Sequence, residues 1–252
     1  MLPKFLICGM EHTGTTLISD LFRQVAGLDS GFECGALLRD TPQEFNSLQP
    51  FRKHMNVGWG ITDAQMDDCC ESPDFETFYS KLQNYAANLS PDTKIIFDKT
   101  PRYLSELTAV LGREKIKTVA SFKDPRGIVF SDFKRSKQAS FDEWYPEYKI
   151  QKIAYTKKCY QEYQANSSNP LVCFVSLEDL ALNSRQTMER MFSHVDEKFR
   201  LEYAIISEIR FQNTKNRTVS ADIAFEHNRG LTAAQKSKIE TDFSFAEDWF
   251  YK

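Results

Sequence analysis

The sequence predicts an α/β domain of three layers, with helices on both faces of a central, mostly parallel sheet of four to five strands. Three observations predict it. Four short apolar, β-rich runs alternate with helical patterns, the mark of a parallel sheet covered by helices. A glycine-flanked loop, "CGMEHTGTT" (8–16), follows the first run and opens a helix, as strand–loop–helix units do in such folds. With 252 residues, 41% of them hydrophobic, the chain suits one sizeable core better than two small ones.

The four runs are "KFLICG" (4–9), "KIIFD" (94–98), "KTVASF" (117–122) and "LVCFVS" (171–176). A weaker fifth candidate is "SGFECG" (30–35). Helical periodicity places helices at roughly 14–26, 75–89, 103–111, 126–137, 142–165, 178–194 and 232–248. Residues 36–74 show no clear period and contain Pro42, Pro50, Gly58, Gly60 and Pro73. The whole chain, 1–252, reads as one domain, with 36–74 as a lid or acceptor-site segment or a helical stretch that its punctuation hides.

A net charge of -3 provides no general basic field for nucleic acid or an anionic membrane, so any anionic ligand requires a local site. The six cysteines form no C-x-x-C pair and no zinc-spaced cluster with histidine, which predicts reduced thiols and no metal centre. No apolar run approaches the ~20 residues of a membrane span. These features together predict a cytoplasmic protein.

Gly9 and Gly14 enclose four residues, and Thr15 and Thr16 follow. Such a loop turns sharply and aims successive N–H groups at one point, where the following helix adds its positive end. A nucleotide-hydrolysing loop would carry lysine at the position of Thr15, to reach the outer phosphates. Its absence argues against γ-phosphoryl transfer, which needs that cation together with magnesium.

On these residues the sequence resembles the sulfotransferases that use 3′-phosphoadenosine-5′-phosphosulfate (PAPS). His12-Thr13-Gly14-Thr15-Thr16 is similar to their lysine-serine-glycine-threonine-threonine phosphosulfate loop, with histidine replacing lysine. The "TVASFKDPRGIVFSDF" segment resembles their 3′-phosphate motif. Lys123 stands there where arginine is usual, Asp124 and Pro125 open a helix, and Ser131 lies eight residues after the cation. "FDKTPRYL" (97–104) and "VSLEDLALN" (175–183) resemble two further blocks of the family, with Asp98 and Leu177 as departures. The resemblance implies PAPS as co-substrate without a metal, bound through His12, Thr13, Gly14, Thr15, Thr16, Lys123 and Ser131. By analogy with a C-terminal basic-glycine segment, Arg229 in "HNRGLT" joins them.

Sulfuryl transfer requires a base for the acceptor proton and donors on the leaving oxygen. The resemblance assigns the base to Glu33, the leaving oxygen to His12, and a supporting contact with sulfate or acceptor to Lys99. His54, Trp59, Trp144 and Tyr145 are candidates for an acceptor pocket, against the plainer reading that they pack the core. The expected activity is transfer to a hydroxyl, less readily an amine, of a small metabolite or saccharide in a soluble bacterial-type enzyme. An atypical phosphotransferase and a catalytically inactive nucleotide-binding module of the same fold are the competing readings.

Overall fold

The computed structural model describes residues 1–206 and 220–251. In chain order the strands are β1 (Leu6–Gly9), β2 (Leu28–Asp29), β3 (Ile95–Ile96), β4 (Asp98–Lys99), β5 (Thr118–Phe122) and β6 (Val172–Ser176). The helices are α1 (Thr15–Phe22), α2 (Pro42–Phe45), α3 (Phe51–Gly58), α4 (Asp63–Cys70), α5 (Phe75–Tyr85), α6 (Leu107–Arg113), α7 (Pro125–Ser136), α8 (Phe141–Asn166), α9 (Leu177–Leu182), α10 (Ser184–His194), α11 (Ala221–Ala224), α12 (His227–Gly230) and α13 (Ala233–Asp242).

Four strands form the central sheet in the order β4-β1-β5-β6, all parallel. Alternation along β1 sends its side chains to two cores. Leu6 and Cys8 join a cluster with residues of α3, α4, α5, α6 and α8, whereas Ile7, with Phe5 just before the strand, joins a cluster with α1, α9 and α10. This is the three-layer arrangement that the sequence predicts. A third cluster ties α7, α8 and α13 together through Val129, Tyr145 and Ile239.

The predicted strand 94–98 is two strands in different sheets. Ile95–Ile96 pairs with β2, and after Phe97 the chain joins the main sheet, where Asp98 and Lys99 stand beside Leu6 and Ile7. The fifth candidate, 30–35, is not a strand; pairing ends at Asp29. There the Asp29 carboxylate accepts N–H bonds from Ser30 and Ser90, each at 2.7 Å, and one from Arg23 Nε at 3.1 Å, which turns the chain out of the ladder. Gly31 then lies against Trp59, whose ring atoms a Cβ would meet at 2.3 Å.

Residues 36–74 fold as a short 3₁₀ turn and the helices α2, α3 and α4, so the second reading of that segment describes its backbone. Leu37, Phe45, Met55, Trp59 and Met66 are buried in the main core. Thr41 caps α2 by accepting from Glu44 N–H, and Thr62 makes a reciprocal capping box with Gln65 at α4. The predicted helix 178–194 breaks at Asn183, and 232–248 ends as an α-helix at Asp242 before a 3₁₀ stretch, Ser244–Trp249. Among the described residues no helix is long and apolar enough to cross a membrane, and all six cysteines are free and buried.

Candidate active site

Parallel strands leave their C-terminal ends along one edge of the sheet, where α/β folds collect their ligands. Here that edge carries the glycine loop after β1, Lys99 at the end of β4, Lys123 after β5, and Glu178 just past β6. The two junctions that the sequence singles out are neighbours because β1 and β5 are neighbours, with Gly9 beside Ser121.

Gly9 is required by close approach: a Cβ there would meet Ser121 Oγ at 2.3 Å, the Ser121 carbonyl at 2.6 Å and Thr13 Oγ1 at 2.7 Å. Gly14, with φ of 88°, forms the N-cap of α1 and supplies no side-chain bond to the first turn. The opening N–H groups of α1 therefore lack the capping partner that such a turn usually has, the geometry of an anion site. His12 also lies in the left-handed region, at φ 66°, a conformation that costs a non-glycine residue about 1 kcal/mol or more.

Thr13 is buried, and its hydroxyl meets the Met10 carbonyl at 2.6 Å and Ser121 Oγ at 2.7 Å. It fastens the loop to β5. Thr15 is buried and Thr16 half-buried at the start of α1. His12 Nε2 stands 2.7 Å from Asp132 Oδ1 on α7, while Lys152 Nζ on α8 stands 2.8 Å from Asp132 Oδ2 and Tyr148 donates to the same carboxylate. Burial alone would raise the Asp132 carboxyl, but bonds from His12, Lys152 and Tyr148 and the Lys152 charge hold it well below the usual range.

Lys123 is buried with Nζ 3.5 Å from Ser131 Oγ, so the cation and the hydroxyl stand side by side. Asp124 caps α7 by accepting from Arg126 N–H at 2.8 Å, and its own N–H donates to Glu178 Oε1 at 3.1 Å. Burial pushes the Lys123 ammonium below its ordinary value, against the charges of Glu178 and Asp124. Burial likewise pushes the Glu178 carboxyl up to about 7. His227 on α12 reaches this corner: it is 1% exposed, its Nδ1 has no hydrogen-bond partner, and that atom lies 3.2 Å from where a Cβ on Gly127 would sit. Arg229, two residues on, turns to Asp222 Oδ1 at 2.9 Å with its side chain 69% exposed.

Glu33 follows β2 and its carboxylate lies 3.3 Å from Lys99 Nζ. Lys99 is 1% exposed and sits 4.4 Å above the Phe32 ring. Burial lowers its pKa from the ordinary lysine value, and Glu33 opposes that shift. Glu33 opens onto a cleft of about 1170 Å³ shared with Glu11, Asp132, Tyr148, Lys152 and Tyr155. His54 and Trp144 also line this cleft, whereas Trp59 and Tyr145 are fully buried in the core. A second hollow of about 810 Å³, walled by Phe32, Val57 and Asn88, adjoins it at Pro50 and His54.

The sequence reading missed Asp132, Tyr148, Lys152, Glu178 and His227. Helical spacing on α8, which sets Tyr148, Lys152 and Tyr155 on one face, was the available signal for two of them.

Solved structures share this architecture. The sulfotransferase domain of the Synechococcus PCC 7002 olefin synthase aligns at a TM-score of 0.67, with 17% identity over 97% of this chain and 94% of that one. The sulfotransferase domain from the curacin biosynthetic pathway aligns at 0.63, with 15% identity over 97% and 98% of the two chains. Retinol dehydratase, solved in complex with androsterone and the inactive cofactor PAP, aligns at 0.50, with 14% identity over 97% and 80%. No curated protein matches in sequence. The sulfotransferase family model matches residues 3–200, which take in the loop, both lysine junctions and the sheet edge described above, and the chain therefore belongs to the sulfotransferase family.

Proposed function

We propose that the protein transfers the sulfuryl group of PAPS to a hydroxyl group, less readily an amine, of a small metabolite or saccharide. The observation that carries this reading is the meeting of two anion-directed junctions on adjacent strands: the uncapped α1 terminus after β1, and the buried Lys123–Ser131 pair after β5. A bisphosphorylated nucleotide has two separated phosphate positions for such a pair of junctions, and complexes with PAP are known among the structural neighbours.

When bound, PAPS supplies an activated sulfuryl group on a phosphate leaving group. The N–H groups around Gly14, with Thr15 and Thr16, bind the 5′-phosphosulfate, and Lys123 and Ser131 bind the 3′-phosphate. His227 forms the wall of the 3′-phosphate corner, and Arg229 supplies an outer positive charge once freed from Asp222. Glu33 takes the proton of the acceptor hydroxyl while the acceptor oxygen bonds to sulfur and the S–O bond to the nucleotide breaks, releasing 3′,5′-ADP. Lys99 fixes the Glu33 carboxylate beside the cleft, and His12, with Nε2 on Asp132, in its protonated form has its Nδ1–H to donate to the leaving phosphate oxygen.

Calorimetric titration tests the reading. The protein is expected to bind 3′,5′-ADP at least tenfold more tightly than 5′-ADP, with no dependence on magnesium. Equal affinities, or binding that requires magnesium, would overturn it in favour of a phosphotransferase.

A further inference from the structure

The loop has lost the lysine that its motif usually carries, yet a lysine reaches it from another element. Lys152 lies in the middle of α8, its side chain only 8% exposed. A lysine this enclosed requires compensation. It receives it from Asp132 Oδ2 at 2.8 Å and, more distantly, from Glu11 Oε2 at 3.9 Å. The other Asp132 oxygen faces His12 Nε2 at 2.7 Å, so one carboxylate holds two nitrogen groups side by side next to the phosphosulfate loop.

An ammonium has three N–H groups, and these two carboxylates are the ion-pair partners that Lys152 meets among the described residues. Capacity for a ligand oxygen remains. Lys152, Glu11, Asp132 and Glu33 also line the same cleft, so the ammonium shares it with a residue of the loop and with the proposed base. In-line transfer has the acceptor oxygen reach sulfur from the side opposite the nucleotide, so on the proposed function the reacting sulfur belongs in this cleft, between the loop and Glu33. Histidine carries charge only when protonated, whereas an exposed or well-paired lysine carries it throughout the physiological range.

We propose that Lys152 is the relocated cation of the phosphosulfate loop, touching the sulfonate oxygens of the donor, and that Asp132 is the positioning residue that sets Lys152 and His12 on its two oxygens. The proposal rests on the sulfotransferase reading above. Lys152 moves no proton; bond making and breaking remain as described.

The test compares PAPS with 3′,5′-ADP, which differ by the sulfonate alone, in calorimetric titrations that need no acceptor. Lys152→Gln is expected to weaken PAPS at least tenfold, the range of a charged hydrogen bond, and to change 3′,5′-ADP by no more than about twofold. His12→Lys, which restores the usual loop residue, is expected to recover most of the lost PAPS affinity in the Lys152→Gln background. A merely structural lysine would weaken both nucleotides together and would not respond to position 12; either result overturns the proposal, as does unchanged PAPS binding. If Lys152→Gln fails to fold, the joint variant Asp132→Asn, Lys152→Met removes the charge pair together and undergoes the same comparison, with and without His12→Lys. Failure of the wild-type protein to bind 3′,5′-ADP would instead dispose of the sulfotransferase reading itself.

Discussion

Thr13 Oγ1 stands 2.7 Å from Ser121 Oγ, joining the loop after β1 to the strand beside it. Gly9 makes the approach possible, since any side chain there would occupy the space between them. On the proposed function the bond bears on nucleotide binding, because the loop follows β1 but is tied to β5. Thr13→Val removes this bond and the one to Met10, and is expected to destabilise the fold by about 1–3 kcal/mol. It should also weaken 3′,5′-ADP about tenfold. Ser121→Ala should cost about 1 kcal/mol and show non-additive coupling with Thr13→Val in thermal denaturation. Lost stability without any loss of nucleotide affinity would separate the loop from the binding site.

Glu33 and Lys99 lie 3.3 Å apart, with Glu33 at the cleft, and the proposed function makes Glu33 the base that activates the acceptor. Glu33→Gln keeps the shape and removes the proton acceptor. Transfer of radiolabelled sulfur from PAPS, to whichever member of a panel of hydroxylated metabolites and saccharides the wild type modifies, is expected to fall about 10²–10⁴-fold. Binding of 3′,5′-ADP should remain within about twofold. Undiminished transfer would assign the base elsewhere, with Glu11 on the same cleft as the next candidate.

How much of this was legible in the sequence depended on whether the determining contacts were local. The glycine loop and the Lys123–Ser131 spacing are set by a few consecutive residues, so their geometry could be written down from the chain alone. Residues 36–74 were opaque because their helices are short, two of eight residues and one of four, and are interrupted by Pro50, Gly58 and Gly60 before any period accumulates. The departure of the chain from the ladder after Asp29 depends on Arg23 and Ser90, which no window around 30–35 contains. Asp132 and Lys152 meet only because α7 and α8 pack together. At the C-terminal segment, a helix of four residues decides that His227 faces the Lys123 corner while Arg229 faces Asp222.

That last distinction is measurable. Lys123→Ala is expected to weaken 3′,5′-ADP by about 10–100-fold while leaving 5′-AMP, which lacks the 3′-phosphate, within about twofold. His227→Ala, which opens a buried wall of the same corner, should also lower the preference for 3′,5′-ADP. Arg229→Ala should have a smaller effect, since that guanidinium is largely solvated and already paired. A loss confined to Arg229→Ala would mean that α12 turns over when nucleotide binds.

Glu178 gives the fold a pH dependence of definite sign. Its carboxyl is buried beside Asp124 and titrates at about 7 in the folded chain, above the 4.5 of a free glutamate, chiefly because burial disfavours its charge. The folded state therefore binds the proton more tightly than the unfolded state. The stabilisation linked to this group is complete below pH 4.5 and is lost as pH rises through about 7. Glu178→Gln keeps an oxygen to accept the Asp124 N–H but has no proton to lose. Denaturant unfolding at a series of pH values should then show the variant gaining on the wild type between pH 4.5 and pH 7, by an amount on the order of 2–4 kcal/mol. A difference that stays constant across this interval would show that Lys123 keeps Glu178 ionised throughout. The corner would then hold a fixed ion pair, and 3′-phosphate affinity should be equally flat over the same range.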